Sequence, residues 1–420
     1  MGMHKKERIK YRPISVREIL LEMKNLSELM IDLAYSAALF NDRDLAEDVI
    51  ELEEKVDTLA FLLNMEIMIA ARDAEDARIL SGVAKVASAA DKISDAAGDI
   101  AAIVLQEIGV HPIIAEIFEK VGERLSRIKV PSDSPIIGTR LIDLDPASMG
   151  VDIIAIRRNK EWIINPGNEE KIKEGDVLIA RGVSAGINEL REKIGERFLK
   201  SEEPMLKELR GEKWFKEIVD RFVELKDTSE LMIALAYSAL VMNSRELAEE
   251  VYALEEYIDK MHTNFELLVL SSKLDESDIK GTLGLIRLGV AAEKISDAAA
   301  EIAEVILRGI EPHPIIKVAI RDAEETIAYV RVDAKSPLAN KMLRETRIPE
   351  ETGMRILAIK RGDKCMRPKP DTRIEAGDVL IAFGYSSGKE DLIKMASPES
   401  THLDTEVDIW RENLFWEEDC

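Results

Sequence analysis

The chain has 420 residues, of which 46% are hydrophobic and 5% aromatic, and its formal net charge is −23 at pH 7. This length predicts two to four domains with aliphatic cores. An acidic surface repels phosphate backbones and anionic membranes, and the sequence has no Lys/Arg run that would indicate nucleic-acid binding. Cys365 and Cys420 form no metal or disulfide pattern, and the N-terminus has no apolar stretch typical of a signal peptide. We therefore expect a cytoplasmic protein without membrane insertion.

The sequence is an internal repeat. SELMIDLAYSA at 27–37 returns as SELMIALAYSA at 229–239, an offset of 229 − 27 = 202 residues. GDVLIA at 175–180 returns at 377–382 with the same offset. The chain therefore consists of two units of about 200 residues each.

The first half of each unit has a helical pattern with few breaking residues. Asn41-Asp42 and Arg72-Asp73 supply turns, because Asx residues cap the helix that follows. Gly109 and Pro112 end the last helix. The pattern predicts three helices in the first unit, at 15–40, 43–72 and 74–107.

The second half of each unit has short β-rich runs separated by turns, such as VDIIAI, EWIIN and DVLIA in the first unit. The predicted fold class is α+β multidomain, in which each unit is a three-helix bundle followed by a small α+β module. The predicted domains are a bundle at 14–121, a module at 122–199, a bundle at 200–323, a module at 324–397 and an acidic tail at 398–420.

A row of acids at four-residue spacing lies on the third helix of each unit. Like charges at this spacing repel by a few tenths of a kcal/mol, about 0.2–0.5. A stripe of isoleucine and valine lies about 160° from the acids around the helix axis and forms the core contact. The acids should therefore face outward or lie along a bundle edge. Small residues share their face, and Lys92 and Lys294 point about 100° away, so few long neighbours can pair with them. The acids are Asp91, Asp95 and Asp99 in the first unit and Glu293, Asp297 and Glu301 in the second.

Two interpretations of the acid rows stay open. Charged helix faces are usually solvated, which would make the rows structural. Alternatively, carboxylates four residues apart can bind a divalent cation or iron. The second helix adds further acids, whose convergence the sequence leaves open: Glu53, Glu54 and Asp57, and in the second unit Glu255, Glu256 and Asp259.

The helical half of each unit resembles the PhoU domain family. The resemblance is carried by SELMIDLAYSAALFNDRDLAEDVIELEEKVDTL and ADKISDAAGDIA in the first unit. It implies a three-helix bundle of the kind found in regulators of phosphate uptake, with an E/D-x-x-x-D motif on the third helix at Asp91/Asp95 and Glu293/Asp297. In some members that motif binds a metal cluster. The His that often follows the second acid is replaced by Ala96 and Ala298 here, which implies a harder and weaker site.

The β-rich half of each unit resembles the RCK-C or TrkA-C domain of potassium-uptake and channel regulators. The order of Ser-Pro, helix, a strand ending AI-[RK]-R, a Pro-containing turn and Gly-Asp before the last strand matches in both units. The sequence contains neither G-x-G-x-x-G nor a P-loop, so nucleotide binding of the Rossmann type is not expected.

The RCK-C resemblance implies homodimerisation through these modules and a small ligand at the dimer seam, which is cyclic di-AMP in several potassium regulators. In those regulators the ligand is bound by an Asn-Pro turn with apolar neighbours and by nearby arginines. An ordinary turn beside solvated arginines is the alternative interpretation. The matching residues are Arg157, Arg158, Ile163, Ile164, Asn165 and Pro166.

We find no motif for nucleophilic or zinc-dependent catalysis, and predict that the protein is not an enzyme. The resemblances imply regulation of a cation transporter or channel, with potassium as the expected ion, through ligand-binding RCK-C modules and PhoU-like bundles. Binding to this transporter or channel would hold the protein at the surface of the membrane. The alternatives are a phosphate-uptake regulator of the PhoU type and, in a different class, a metal-dependent phosphatase.

Overall fold

The structure is a computed structural model. It describes residues 11, 13–108, 124–159, 161–164, 166–182, 184–195, 213–272, 279–321, 325–362, 364–366, 368 and 371–398. Apart from Pro398, the predicted acidic tail lies outside the described residues.

Three long helices form the first bundle, as the helical pattern predicts. Asn41 adopts the left-handed conformation with φ 49°, and the Asp42 side chain accepts a hydrogen bond from the Leu45 amide at 3.1 Å. The Asp73 side chain caps the third helix, because it accepts hydrogen bonds from the backbone amides of Glu75 and Asp76, both at 2.9 Å. The Asx residues therefore end one helix and start the next, at the predicted places. The helices are α1 (Val16–Phe40), α2 (Arg43–Ala70) and α3 (Ala74–Leu105).

The first α/β module is a four-stranded antiparallel sheet in the order β1-β4-β2-β3. Three of the four strands coincide with the predicted β-rich runs VDIIAI, EWIIN and DVLIA. The helix expected after Ser134-Pro135 is a single turn. The elements are β1 (Arg124–Lys129), α4 (Leu141–Leu144), β2 (Val151–Arg158), β3 (Glu161–Ile164), β4 (Val177–Gly182) and α5 (Ser184–Ile194).

The second unit repeats this arrangement, with its sheet in the order β5-β8-β6-β7. The short strand β7 lies in the region where the sequence predicts only a Pro-containing turn. The bundle helices are α6 (Lys213–Met242), α7 (Arg245–Ser271) and α8 (Ile279–Leu307). The helix α9 (Pro314–Arg321) follows and packs against the core of the bundles. The elements of the second module are β5 (Glu325–Arg331), α10 (Ile348–Thr352), β6 (Met354–Arg361), β7 (Lys364–Met366), β8 (Val379–Tyr385) and α11 (Ser386–Ala396).

The two bundles pack against each other through α3 and α8, which run antiparallel. Arg78 near the start of α3 donates to the Gly309 carbonyl just past the end of α8, at 3.5 Å. Near the opposite end, Arg287 donates to Gln106 at 3.0 Å. Lys280, the repeat equivalent of Arg78, likewise donates to the Glu107 carbonyl at 3.3 Å, so a pseudo-twofold axis relates the two helices.

The same pseudo-symmetry relates α1 and α6. The Lys24 ammonium lies 5.2 Å from the ring centre of Tyr237, and Lys226 lies 5.4 Å from that of Tyr35. Since 226 − 24 and 237 − 35 both equal 202, these are the same contact made twice. The Phe222 ring also packs edge-on against Tyr35, with centroids 6.2 Å apart. Buried lysines stacked on the partner unit's tyrosines thus join the bundles.

One hydrophobic core runs through both bundles and reaches the inner face of each sheet, where Ile179 and Ile381 are fully buried. The outer face of each sheet forms a smaller core of its own, under α5 in the first module and under α11 in the second. Each module is therefore attached to the bundles by a whole sheet face. A module cannot shift without repacking the shared core.

The most apolar stretch, LAFLLNMEIMIAA, is the end of α2. Within the described part of the chain, no helix has both the length and the apolar character needed to cross a membrane.

Candidate functional site

The predicted ligand-binding turn follows β3 in the first module. Ile163 and Ile164 pair with Ile156 and Ala155 of β2 and point to opposite faces of the sheet. Ile163 packs against the core of the module, whereas Ile164 packs against the core shared with the bundles. Pro166 is buried. Asn165 lies outside the described residues, so its expected contact stays a prediction.

Arg158 is held by partners inside the first module. Its guanidinium donates to Asp176 at 3.0 and 2.9 Å, to Glu170 at 2.7 Å and to the Lys171 carbonyl at 2.8 Å. The hydrogen bonds to Asp176, whose side chain is buried, raise the pKa of the arginine. Arg158 therefore closes the loop between β3 and β4.

The second module contains an arginine with the same set of hydrogen-bond partners. Arg361 donates to both oxygens of the buried Asp378 at 2.8 Å and to the Arg373 carbonyl at 2.8 Å. Two copies with the same partners indicate that this arginine has a structural role, because a buried carboxylate needs a hydrogen-bonded counter-charge. The ion pair with Asp176 was not predicted, although a Gly-Asp pair precedes the last strand in both units. The expected contact of Arg158 with a ligand stays a prediction.

Arg157 points from the sheet toward the first bundle. It binds the buried Asp48 of α2 at 2.8 Å and lies 3.4 Å from Glu51. Two more arginines of this module reach the same bundle: Arg127 lies 3.3 Å from Asp44, and Arg181 lies 3.5 Å from Asp32.

These three contacts attach the first module to the first bundle by charge. In the second module the equivalent residues are Lys360, Tyr329 and Phe383. Two of the three arginine positions are therefore uncharged in the second module. The two modules differ in how they are attached, although their backbones are alike.

The acid rows lie beside the α3–α8 seam, where lysines of the opposite helix reach them. Lys294 binds Asp99 at 2.7 Å, and Lys92 binds Glu301 at 2.5 Å. The expectation that the acids have few cationic neighbours is therefore wrong for Asp99 and Glu301. It failed because a lysine that points away from the acids of its own helix points toward those of an antiparallel partner. Asp95 and Glu293 also raise the pKa of Lys294, after the stronger effect of its hydrogen bond to Asp99.

The remaining acids of the second row approach acids of α7. One carboxylate oxygen each from Glu255, Asp259 and Asp297 lie within 4.8 Å of one another. Burial raises the pKa of Asp297, and Asp259 raises it further. Burial and Asp297 likewise raise the pKa of Glu293. These carboxylates repel one another, and a bound cation would relieve that repulsion.

His262 is a neighbour of this cluster that the sequence analysis missed. It lies three residues after Asp259 on α7, and its positive form would lower the pKa of Asp297. The i, i+4, i+7 spacing of Glu255, Asp259 and His262 places them on one helix face. The first unit has Ala60 at the equivalent position.

The two units also differ at the third helix. Gly98 of α3 leaves room for the Glu53 carboxylate, since a Cβ at this position would collide with it. The second unit has Ala300 there. Asp57, Asp91 and Asp95 all have partners in the structure. The acids of the two bundles are thus arranged differently, despite their matching sequence rows.

Family models match most of the chain. The PhoU domain matches residues 20–104 and 222–306, which are the two bundles. The TrkA-C domain matches residues 125–195 and 327–396, which are the two modules. The four matches alternate in the order that the internal repeat requires.

Similar proteins share parts of the chain. Potassium channel protein 1 of Methanocaldococcus jannaschii is 49% identical over 59 residues, which are 14% of this chain and 17% of that protein. Ktr system potassium uptake protein C of Bacillus subtilis is 33% identical over 76 residues, 18% of this chain and 34% of that protein. The matches thus span about a third or less of either relative. A crystal structure of PhoU from Pseudomonas aeruginosa is 16% identical, covers 70% of this chain and 96% of that chain, and has a TM-score of 0.38.

We expect the Asp48→Asn variant to gain stability relative to the unmodified protein as the pH rises from about 4 to about 7. Burial raises the pKa of Asp48 to about 6, although Arg157 opposes this. The unfolded chain has an aspartate pKa near 3.9. The folded protein therefore binds the extra proton between these values, and its free energy of unfolding falls as the pH rises through them. The fall is at most about 3 kcal/mol.

Denaturant unfolding at several pH values in this window checks the prediction. Asparagine does not titrate, so the difference between the two proteins should change across the window. Asp44→Asn, on the same helix with a side chain 67% exposed, controls for the loss of one negative charge. Identical pH dependence for Asp48→Asn and the unmodified protein would contradict the argument.

Proposed function

We propose that this chain, in which two PhoU domains alternate with two TrkA-C domains, regulates a membrane transporter or channel for potassium. The observation that carries the proposal is the pair of TrkA-C matches, supported by two relatives that are named for potassium transport. The chain would act through a partner, with its modules receiving a signal and its bundles changing their contacts with that partner.

Charged contacts between the first module and the first bundle offer a route for this signal. Arg157 lies on β2, next to β3 and the turn that follows it, and binds Asp48 on α2. A ligand that shifts the end of β3 would change this contact and the core beneath the sheet. It can do so only if it binds two arrangements of module and bundle with different affinity.

The proposed ligand is cyclic di-AMP, bound at the turn of the first module. We assign the direct contacts to Ile163, Ile164, Asn165 and Pro166. Because Arg158 already binds carboxylates, its part would be to position the loop, and Arg157 would transmit the change to α2. The ligand would lie at the seam of a homodimer formed through this module.

Calorimetric titration of the full chain with cyclic di-AMP tests this assignment, with cyclic di-GMP as the competing dinucleotide. We expect saturable binding of cyclic di-AMP alone, lost in Asn165→Ala and retained in Asn168→Ala, an exposed residue of the same loop. Absence of heat with cyclic di-AMP, or equal loss of binding in both variants, would refute the turn as its site.

Phosphate-uptake regulation is the second candidate, and the two PhoU matches favour it. Capture of the tagged chain from detergent-solubilised native membranes separates the two. We expect a potassium transporter or channel to co-purify, and the Asp48→Asn variant to change the amount recovered. Enrichment of a phosphate transporter instead would select the alternative and reject potassium.

We further propose that Glu255, Asp259 and Asp297 bind a divalent cation in the second bundle. Their convergence and the raised pKa values of Glu255 and Asp297 support it. Three carboxylates form an oxygen donor set that suits manganese or iron(II), and His262 could complete it. Two of the other predicted ligands, Asp99 and Glu301, would keep their lysine partners.

Titration of the metal-free chain with manganese checks this site. Asp259→Asn should weaken binding by about tenfold or more, since changes even behind a ligand cost that much. Its repeat equivalent, Asp57→Asn in the first bundle, should leave the affinity unchanged. Equal losses in both variants, or no binding to the unmodified protein, would contradict a site at these residues.

A further inference from the structure

A cavity of about 480 Å³ lies between the two modules, above α1 and α6. Its walls are the start of β2 and the end of β4 in the first module, and the equivalent ends of β6 and β8 in the second. The volume falls within the range of small-molecule sites, roughly 300–1,000 Å³. The cavity is distinct from the turn after β3, because β2 runs from Val151 at the cavity to Arg158, about 23 Å away at 3.3 Å per residue.

The pseudo-twofold axis makes the cavity symmetric in backbone but not in charge. Glu28 and Glu230 are equivalent and lie on its floor, as 230 − 28 = 202. At three other pairs of equivalent positions the two units differ: Asp32 and Ala234, Asp152 and Arg355, Arg181 and Phe383. The side of the first unit is therefore rich in charge, whereas the side of the second carries an aromatic ring and one arginine.

Several of these charges already have partners. Lys24 lies 2.6 Å from Glu28, and Lys226 lies 2.6 Å from Glu230. Arg181 lies 3.5 Å from Asp32. The floor is thus close to neutral, and the charges at the rim decide the polarity of the cavity.

The rim of the cavity offers one cation for a ligand. Asp152, on the side of the first unit, already has a partner in the structure. Arg355 is exposed on the opposite side, where no described carboxylate lies within ion-pairing distance of it. Deeper inside, Oε1 of Glu28 is buried and accepts no hydrogen bond from the described residues. An acceptor without a donor at this depth is costly, and an N–H or cationic group on a ligand would satisfy it.

We propose that this cavity binds a small zwitterion of the amino-acid or betaine class. Its cationic group lies toward Oε1 of Glu28, and its anionic group binds the guanidinium of Arg355. Phe383, on the same side as Arg355, supplies an apolar surface for the hydrocarbon part of the ligand.

Such a ligand touches both modules and the bundle helices beneath them, so it favours the arrangement in which the modules hold their present spacing. A solute that occupies this cavity would therefore act on the modules separately from a ligand at the turn after β3. The inference does not depend on which transporter is regulated.

Calorimetry and thermal unfolding of the full chain test the proposal, with glycine betaine and the common L-amino acids as probes. Acetate and tetramethylammonium are the matched controls, since each carries one of the two charges of glycine betaine. We expect at least one zwitterion to bind saturably and raise the melting temperature, and each single-charge control to bind at least about tenfold more weakly.

Arg355→Ala and Arg344→Ala locate the site. Both arginines are exposed and belong to the second module, but only Arg355 lines the cavity. The Arg355 variant should lose at least about tenfold in zwitterion affinity while keeping any binding of cyclic di-AMP, and the Arg344 variant should behave as the unmodified protein. No binding by any zwitterion, equal binding by the single-charge controls, or unchanged affinity in folded Arg355→Ala would overturn the proposal.

Discussion

The antiparallel pairing of α3 with α8 is the constraint on which the rest of this structure depends. These helices are rich in buried alanine and isoleucine, so each is part of its own bundle and of the seam between the bundles. Close approach requires small residues, as at Gly82, where a Cβ would crowd Val305 and Ile310. Once this pair has formed, the pseudo-twofold axis is set, and every repeated residue acquires a defined counterpart.

The axis explains how two helices that each carry a row of acids can pack together. Rows of like charge on one helix are unfavourable, and two such helices side by side would be worse. The antiparallel arrangement offsets this by bringing Lys92 to Glu301 and Lys294 to Asp99. These ion pairs are partly exposed, so each adds little free energy. Their main effect is on register, because a parallel or shifted pairing would set acid against acid.

Duplication has let the two units diverge around a common backbone. The first module is joined to its bundle by three arginine–carboxylate contacts, whereas tyrosine and phenylalanine take two of the equivalent places in the second. In the second bundle the carboxylates of Glu255, Asp259 and Asp297 lie close together. In the first bundle the Glu53 carboxylate packs against Gly98. A homodimer of identical chains would have the same side chains at both equivalent positions. A single chain with two unlike halves can therefore have different side chains at symmetry-related places.

The sequence by itself determined the repeat, the three helices of each bundle, the main strands and the family of each domain. Helix capping, hydrophobic period and turn residues act over a few positions, and the chain expresses them directly at Asp42, Asp73 and the Gly-Asp turns. Only the tertiary structure decided which charges meet. The sequence separated Lys92 from the acids of its own helix, and it did not indicate which carboxylates Arg157 and Arg158 would bind. Packing gave them Glu301, Asp48 and Asp176, which are distant in sequence. Long-range pairing depends on how helices and sheets are set against one another, and no local pattern records that arrangement.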